Sequence, residues 1–392
     1  MAAVAQLPFR QDDPLRSSEE LRALQSDDGP IHKVLTPVGD EAWLITGYAQ
    51  VRRLMDNENL GRTHRDPANA PRSRTSALFG GPIGDFDTEL VDHARMRQLL
   101  QPHFSPRHMR ELQPKLEKLC AALLDDMEQQ GPPADLHASL AQPFPVLVIC
   151  DLLGVPYSER DRFRVWVEDA AFSPDDTASV NGLAALLQYG LELVAVKRSQ
   201  PGDDVISRLC DEPDLSDLEV ATLGMQLLFA GHETTVMQIW LQSLLLLTHH
   251  DQWQTLLTSP DLIPKAVEEL LRVGMPGGIG VPRYAREDID VDGVTIRAGD
   301  LVLLDPGSAN HDPAAFPDPY RLDINRTGTA HVGFGYGLRY CVGAALARME
   351  LKIVFAQLIP RFPTMQLCAE ASTMTAGFHS LSHGLVALPV TW

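Results

Sequence analysis

Basic charge, aromatic residues and paired cysteines are all scarce in this sequence. Its 392 residues carry 33 Lys+Arg against 52 Asp+Glu, a formal net charge of −19. Such a balance excludes a surface built to hold nucleic acid. Aromatics make up 6% of the chain, so the interleaving of basic and aromatic side chains that stacks bases is missing too. The five cysteines, Cys120, Cys150, Cys210, Cys341 and Cys368, are scattered and odd in number, with no CxxC pair. A disulfide framework and a structural zinc site are thereby disfavoured, and a reducing cytoplasm is the expected compartment. The N-terminal stretch MAAVAQLPFRQDDPLRSS has no uninterrupted apolar run, so it reads neither as a signal peptide nor as an anchor. Internal repeats and low-complexity tracts are absent. The 28 Gly and 29 Pro are dispersed rather than gathered into a linker, which predicts one continuous unit over residues 1–392.

What is present is mostly helical, with minor sheet. Residues 31–48 read as a hairpin turning at Pro37-Val38-Gly39-Asp40. Residues 106–130 and 136–200 carry apolar side chains at helical spacing. Strand character returns at 288–306, with turns at Asp292-Gly293 and Ala298-Gly299. A last helix runs from Gly343 to near Pro360. The longest candidate starts at Ser216, where Glu219 completes a capping box, and continues to about His249. At about 1.5 Å per residue it spans roughly 50 Å. It is apolar on nearly all sides, yet Gln226, His232, Glu233, Thr234, Thr235, Gln238 and Gln242 interrupt it. A Glu in hydrocarbon is costly, so the expected place is the middle of a large core rather than a membrane.

Four constellations could carry chemistry. The first is HVGFGYGLRYCVGAALAR, residues 331–348, where Phe334, Gly335, Gly337 and Gly343 surround Cys341. Glycines permit a tight loop and close approach of something flat. A cysteine near a helix start is favoured as a thiolate, the form that binds metal. The second is Ala230-Gly231-His232-Glu233-Thr234-Thr235, an acid beside a hydroxyl inside an apolar helix, where both need partners or water. The third is Glu269 and Arg272, on one helix face. The fourth is a set of bases: His93 and Arg97 four apart, Arg283, and Arg339 two residues before Cys341. Taken singly, each of these bases reads more readily as a solvated charge.

FGYGLRYCVG resembles the haem-binding loop of the cytochrome P450 family, and AGHET resembles that family's oxygen-binding groove. Glu269-Leu270-Leu271-Arg272 and ANHDPAAFPDPYRLDINR follow in the family's order, with His311 where an Arg is common. The resemblance covers about residues 90–392. It implies a mainly α fold with a small β lobe, and haem b (iron protoporphyrin IX) with Cys341 as its thiolate ligand. Such a ligand favours O–O cleavage. It implies that Glu233 and Thr234 relay protons to dioxygen, with Ala230 and Gly231 small because dioxygen and substrate sit there. Phe334, Gly335 and Gly343 would shape the cofactor loop. His93, Arg97, Arg283 and Arg339 would hold the two propionates. It implies a buried Glu269–Arg272 pair bonded to the segment 310–326.

By the same resemblance the chain is a soluble, cytoplasmic, bacterial-type monooxygenase, without nucleic-acid or membrane partners and expected as a monomer. It would take electrons from a separate ferredoxin and ferredoxin reductase. Substrate would meet residues 62–90, 160–200 and 378–386, among them Phe79, Phe86, Phe172, Leu381 and Leu385. Their mixture with polar residues points to a bulky polyketide, macrolide or terpenoid intermediate in antibiotic biosynthesis, hydroxylated or epoxidised. Residues 52–118 hold 12 Lys+Arg against 9 Asp+Glu, whereas the rest holds 21 against 43. That contrast makes Arg95, Arg107 and Arg110 candidates for meeting an acidic ferredoxin. Two other readings fit less of the sequence: a peroxide-driven haem-thiolate enzyme, which would have no use for Glu233-Thr234, and a non-enzymatic haem sensor.

Overall fold

A computed structural model describes residues 4–27, 29–173, 175–278, 280–371 and 387–392. In chain order the helices are α1 (Glu19–Asp27), α2 (Tyr48–Met55), α3 (Glu89–Leu100), α4 (Pro106–Gln130), α5 (Pro143–Leu153), α6 (Arg160–Phe172), α7 (Asp176–Ser199), α8 (Val205–Cys210), α9 (Asp217–Thr248), α10 (His250–Thr258), α11 (Ile263–Val273), α12 (Pro306–Asn310) and α13 (Ala344–Arg361). The strands are β1 (Ala5–Gln6), β2 (Ile31–Leu35), β3 (Glu41–Ile45), β4 (Leu60–Gly61), β5 (Ala134–Asp135), β6 (Val281–Ala285), β7 (Ile289–Val291), β8 (Val294–Ile296), β9 (Leu301–Leu304), β10 (Gln366–Leu367) and β11 (Pro389–Thr391). The fold is mainly α with a small β lobe, as the sequence predicts.

The residues group into two compact units, each assembled from separate stretches of chain: 1–94 with 264–341, and 95–263 with 342–392. Because neither unit is contiguous, no linker could mark the division in the sequence.

The first unit is organised by a six-stranded sheet in the order β1-β2-β3-β9-β6-β4. The expected hairpin forms β2 and β3, with Ile31 opposite Ile45, and Gly39 turns it at φ +91°. That left-handed value suits glycine. β9 lies parallel to β3 and antiparallel to β6, which pairs Arg283 with Val302. The hairpin β7–β8 turns at Asp292-Gly293, both at positive φ, as a two-residue Asp-Gly loop requires. Ile45, Val51, Leu54, Val291, Val302 and Val332 belong to one buried cluster beside the sheet.

The second unit is built around α9. Its capping box is complete: the Ser216 Oγ accepts from the Glu219 amide, and the Glu219 carboxylate accepts from the Ser216 amide at 2.8 Å. Every residue from Thr235 to Leu247 is buried, because α5, α7, α8, α10 and α13 all pack on this helix. An all-round apolar helix of this length finds its partners on every side only at the middle of a core. Among the described residues one helix is long and apolar enough to cross a membrane, and it is α7, which packs along α6 and α9. α4 spans the predicted 106–130, capped by Ser105. α13 starts at Ala344 and ends one residue past Pro360.

Candidate functional site

The cysteine loop lies in the first unit. Gly335 and Gly337 adopt φ of +75° and +63°, and a side chain at Gly337 would overlap Asp56. The Cys341 amide donates to the Phe334 carbonyl at 2.8 Å, closing the loop. The other end is tied by the Leu338 amide, which donates to Asp56 at 3.1 Å. Cys341 itself is exposed, unlike the buried Cys120, Cys150 and Cys210. Burial pushes the thiols of Cys120 and Cys150 up to about 12, so those two are inert. Among the described residues no group of three or more His, Cys, Asp or Glu could hold a metal ion. Iron bound through Cys341 alone would need a macrocycle to supply its other ligands.

Basic side chains gather in the same unit. Arg339 is buried and ion-pairs with Glu89, the first residue of α3. Arg286 reaches the other oxygen of Glu89 at 3.2 Å. Glu89 also accepts from the Arg62 amide at 2.8 Å and from the Thr63 hydroxyl at 2.5 Å. Burial raises its pKa, but the Thr63 hydroxyl, the Arg62 amide and Arg339 outweigh that and leave it below the usual carboxylate range. Its two oxygens are thereby occupied, while the guanidinium groups of Arg62 and Arg283 stand close by. Burial first, then the like charges of Arg62 and Arg339, push Arg283 down to about 9. Arg62 is lowered by burial as well. Arg339 Nε is buried with no hydrogen-bond partner. Four guanidiniums around one carboxylate call for further anions, and a porphyrin's two propionates fit that demand.

Arg62 escaped the sequence reading. It is an isolated Arg in the polar run LGRTHR, and only the pairing of β4 with β6 brings it near Arg283. Phe86, expected to face substrate, has Arg286 over its ring at 4.0 Å and Arg65 at 5.1 Å, so it also pads the charge cluster. α3 sets His93 and Arg97 one turn apart, as predicted. The side chain of Phe172, and Leu381 and Leu385, lie outside the described residues.

The groove sequence lies in the second unit. α9 runs through it without a break, although glycine and two threonines adjoin. Gln226, Ala230 and Thr234, spaced four apart, form an exposed line along the middle of a largely buried helix. Thr234 Oγ1 donates to the Ala230 carbonyl at 3.1 Å, which leaves its lone pairs as acceptors. Glu233 is 13% exposed and bonds His232 Nε2 at 3.0 Å. Gly231 has a packing reason for being small: a Cβ there would meet Ile149 Cδ1 of α5 at 2.5 Å. Ala230 is the residue on the open line.

Glu269 and Arg272 are buried and bidentate, at 2.8 and 2.9 Å. Arg272 donates further to the carbonyls of Asn310, Pro319 and Arg321, and Glu269 accepts from the Asp323 amide and from Arg326 Nε. The predicted tie to residues 310–326 is present. His311, the departure from Arg, stacks on Tyr320 with ring centroids 4.8 Å apart and bonds the Gly307 carbonyl through Nδ1. Of the bases offered for partner docking, Arg95 pairs with Glu219 and Arg107 with Glu111, while Arg110 is exposed.

Comparison with known proteins agrees with these local structures. The family model for cytochrome P450 matches residues 196–375. The chain is 40% identical to pentalenolactone synthase of Streptomyces exfoliatus over the full length of both. It is 38% identical to mycinamicin IV hydroxylase/epoxidase of Micromonospora griseorubida, over 98% of each. Among solved structures it matches substrate-free cytochrome P450 PimD, a polyene macrolide antibiotic pimaricin epoxidase. There the TM-score is 0.89 and the identity 40%, over all of both chains. SgvP, described as a putative thioether synthase in griseoviridin tailoring, gives a TM-score of 0.91 at 33% identity, again over all of both chains. The chain therefore belongs to the cytochrome P450 family, the haem b-binding monooxygenases.

Proposed function

We propose that this protein activates dioxygen with electrons from a ferredoxin and its reductase, and hydroxylates or epoxidises a bulky, largely apolar natural-product intermediate in the cytoplasm. The exposed Cys341 in a glycine loop, in the unit where Arg286 and Arg339 pair with Glu89 and Arg62 and Arg283 add their charge nearby, is the observation that carries the reading. In this reading Cys341 holds the haem iron, and Arg62, Arg283 and Arg339, with His93 and Arg97, hold the propionates. Phe334, Gly335 and Gly343 keep the loop in shape. When bound, the haem supplies the redox chemistry that cleaves the O–O bond.

The chain's own residues do the rest. Thr234 presents acceptor lone pairs on the open line of α9, and Glu233 beside it is the acid that brings protons. Apolar surroundings keep bulk water from the reaction. Ala230 leaves room next to Thr234 for dioxygen and substrate. The substrate class is supported by the names of two relatives, the mycinamicin IV hydroxylase/epoxidase and the epoxidase of the polyene macrolide antibiotic pimaricin.

The test has two stages. Reduced, carbon-monoxide-treated protein should show the far-red Soret band of thiolate ligation. A colourless protein, or a band at the imidazole position, ends the proposal. Incubation with ferredoxin, reductase and a panel of macrolide and terpenoid scaffolds should then give products one oxygen atom heavier. Turnover by peroxide alone at the same rate would move the protein to a different oxidant.

A further inference from the structure

One buried titratable side chain has no task in that reading. His232 is 2% exposed and lies inside α9, between Gly231 and Glu233. Its Nδ1 lies 2.9 Å from the Leu228 carbonyl oxygen, one turn back. Its Nε2 lies 3.0 Å from Glu233 Oε1. A carbonyl oxygen only accepts, so Nδ1 carries a hydrogen. A neutral imidazole has a single N–H, and Nε2 then offers a lone pair to a carboxylate oxygen that also only accepts. Two acceptors at 3.0 Å hold together only with a proton between them. The pair therefore carries one proton beyond the Nδ1–H, either as imidazolium and carboxylate or as imidazole and carboxylic acid.

The surroundings keep that proton in place. The ring of Phe163 on α6 meets His232 edge-on, with centroids 5.8 Å apart, and Ile149 of α5 closes on the adjacent Gly231. Both walls are apolar. Among the described residues His137, on the π-helical turn His137–Ala141 packed against α9, interacts electrostatically with Glu233, and Asp135 just before it interacts with His137. Burial lowers the pKa of His137, against the opposing pull of Asp135 and Glu233, so it stays neutral near pH 7 and does not neutralise the carboxylate. Thr234, the next residue, keeps its lone pairs available.

We propose that His232 is the proton-holding partner of Glu233: a positioning residue that keeps one transferable proton on the pair and releases Glu233 when that proton leaves. The inference rests on the monooxygenase reading. Delivery breaks the O–H bond on Glu233 and forms a bond to the acceptor beside Thr234, and no electron moves. The pair is then left as two facing acceptors, which repel. The carboxylate swings away, takes a proton from water and returns. Each delivered proton is matched by one taken from solvent.

Nitrogen-15 histidine NMR of the diamagnetic ferrous carbonyl holoenzyme tests the proton count, with His232→Gln used to identify the signal. Nδ1 should be protonated, and Nε2 should change from proton-sharing to a bare acceptor in Glu233→Gln. An unprotonated Nδ1, or an Nε2 that ignores Glu233→Gln, overturns the proposal. Dioxygen consumption with a plant-type ferredoxin and its reductase, in H2O and D2O, tests the consequence. His232→Phe should lower the rate by about 10-fold, below the ~10²-fold of a group that delivers the proton itself, and should enlarge the solvent isotope effect. His232→Gln restores a hydrogen bond but carries no proton, so it should not rescue. Rescue by Gln, or an unchanged isotope effect in both variants, would assign His232 a purely structural part. The thiolate Soret band is recorded for every variant, so a failure of the monooxygenase reading shows there and a failure of the proton pair shows in the NMR.

Discussion

Replacing Arg272 with Lys should destabilise the protein by about 3 kcal/mol even though the charge is kept. The guanidinium spends all five of its N–H donors: one each from Nε and Nη2 on Glu269, two from Nη1 on the carbonyls of Asn310 and Pro319, and the last from Nη2 on the carbonyl of Arg321. Its plane also lies over the Phe316 ring at 5.1 Å. An ammonium has three donors and no fork, so at least two of these five bonds are lost. A hydrogen bond from a charged donor contributes about 1.5–3 kcal/mol, so the loss of two costs about 3 kcal/mol at the lower end. At about 2.1 cal/mol/K per residue, unfolding 392 residues together has an entropy near ~0.8 kcal/mol/K, so the melting temperature should fall by about 4 °C.

The assay is a thermal melt followed by circular dichroism, with the reduced carbonyl spectrum read on the same sample. Arg107→Lys is the control: its pair with Glu111 is four apart on an exposed helix face, with side chains 85% and 57% exposed, and should not change the melt. Arg272→Lys also loosens residues 310–326, so some protein should lose the thiolate Soret band. A melt within about 1 °C of wild type, with a full thiolate band, would refute the reasoning. It would mean that one ammonium serves these acceptors as well as the five-donor fork does.

Thr234→Ala removes a hydroxyl on the exposed line of α9 and leaves the core untouched, so haem content and substrate-induced spin shift should persist while electrons are diverted into hydrogen peroxide. Unchanged coupling between reductant and product would place the proton route elsewhere. Cys341→Ala should abolish the thiolate band with little effect on the melt of haem-free protein, since the loop's backbone bond to Phe334 survives; a remaining thiolate band would exclude this ligand. Burial lowers His311 to about 4, against 6.5 for the free side chain, so the unfolded chain binds a proton there that the folded one refuses. That contribution is complete above about pH 6.5 and is lost as the pH falls to about 4, with a total of about 3 kcal/mol. His311→Gln should flatten the acid limb of the stability curve by that amount, and equal slopes in the two proteins would contradict it. His103, also lowered to about 4 by burial, adds to the limb with the same sign and is untouched by the substitution.

What could be read from the sequence, and what could not, follows from the range of the interactions. The capping box at Ser216, the Asp292-Gly293 turn and the Glu269–Arg272 pair are each specified within four residues, and each appears where the sequence places it. Family order then located the partners of Glu269 and Arg272 in 310–326, 38 to 57 residues away, which pattern alone could not have done. Arg62 has neither kind of signal. Its surroundings are created by a sheet that pairs β4 with β6 and by a carboxylate that begins α3, so an Arg in a polar loop became part of a charge cluster only on folding.

His232 and Glu233 are the sharper case. Side chains one apart on a helix diverge by about 100°, and the usual rule is that they do not meet. Their bond at 3.0 Å requires the imidazole to be held back along the helix by the Leu228 carbonyl while Glu233 bends toward it. On a surface helix water would satisfy both groups separately. Inside α9 the apolar residues Ile149 of α5 and Phe163 of α6 line the site, and the two side chains bond each other. The same burial that makes α9 legible as a core helix thus brings two adjacent polar residues into the proton-sharing unit we propose, next to Thr234 on the open line of that helix.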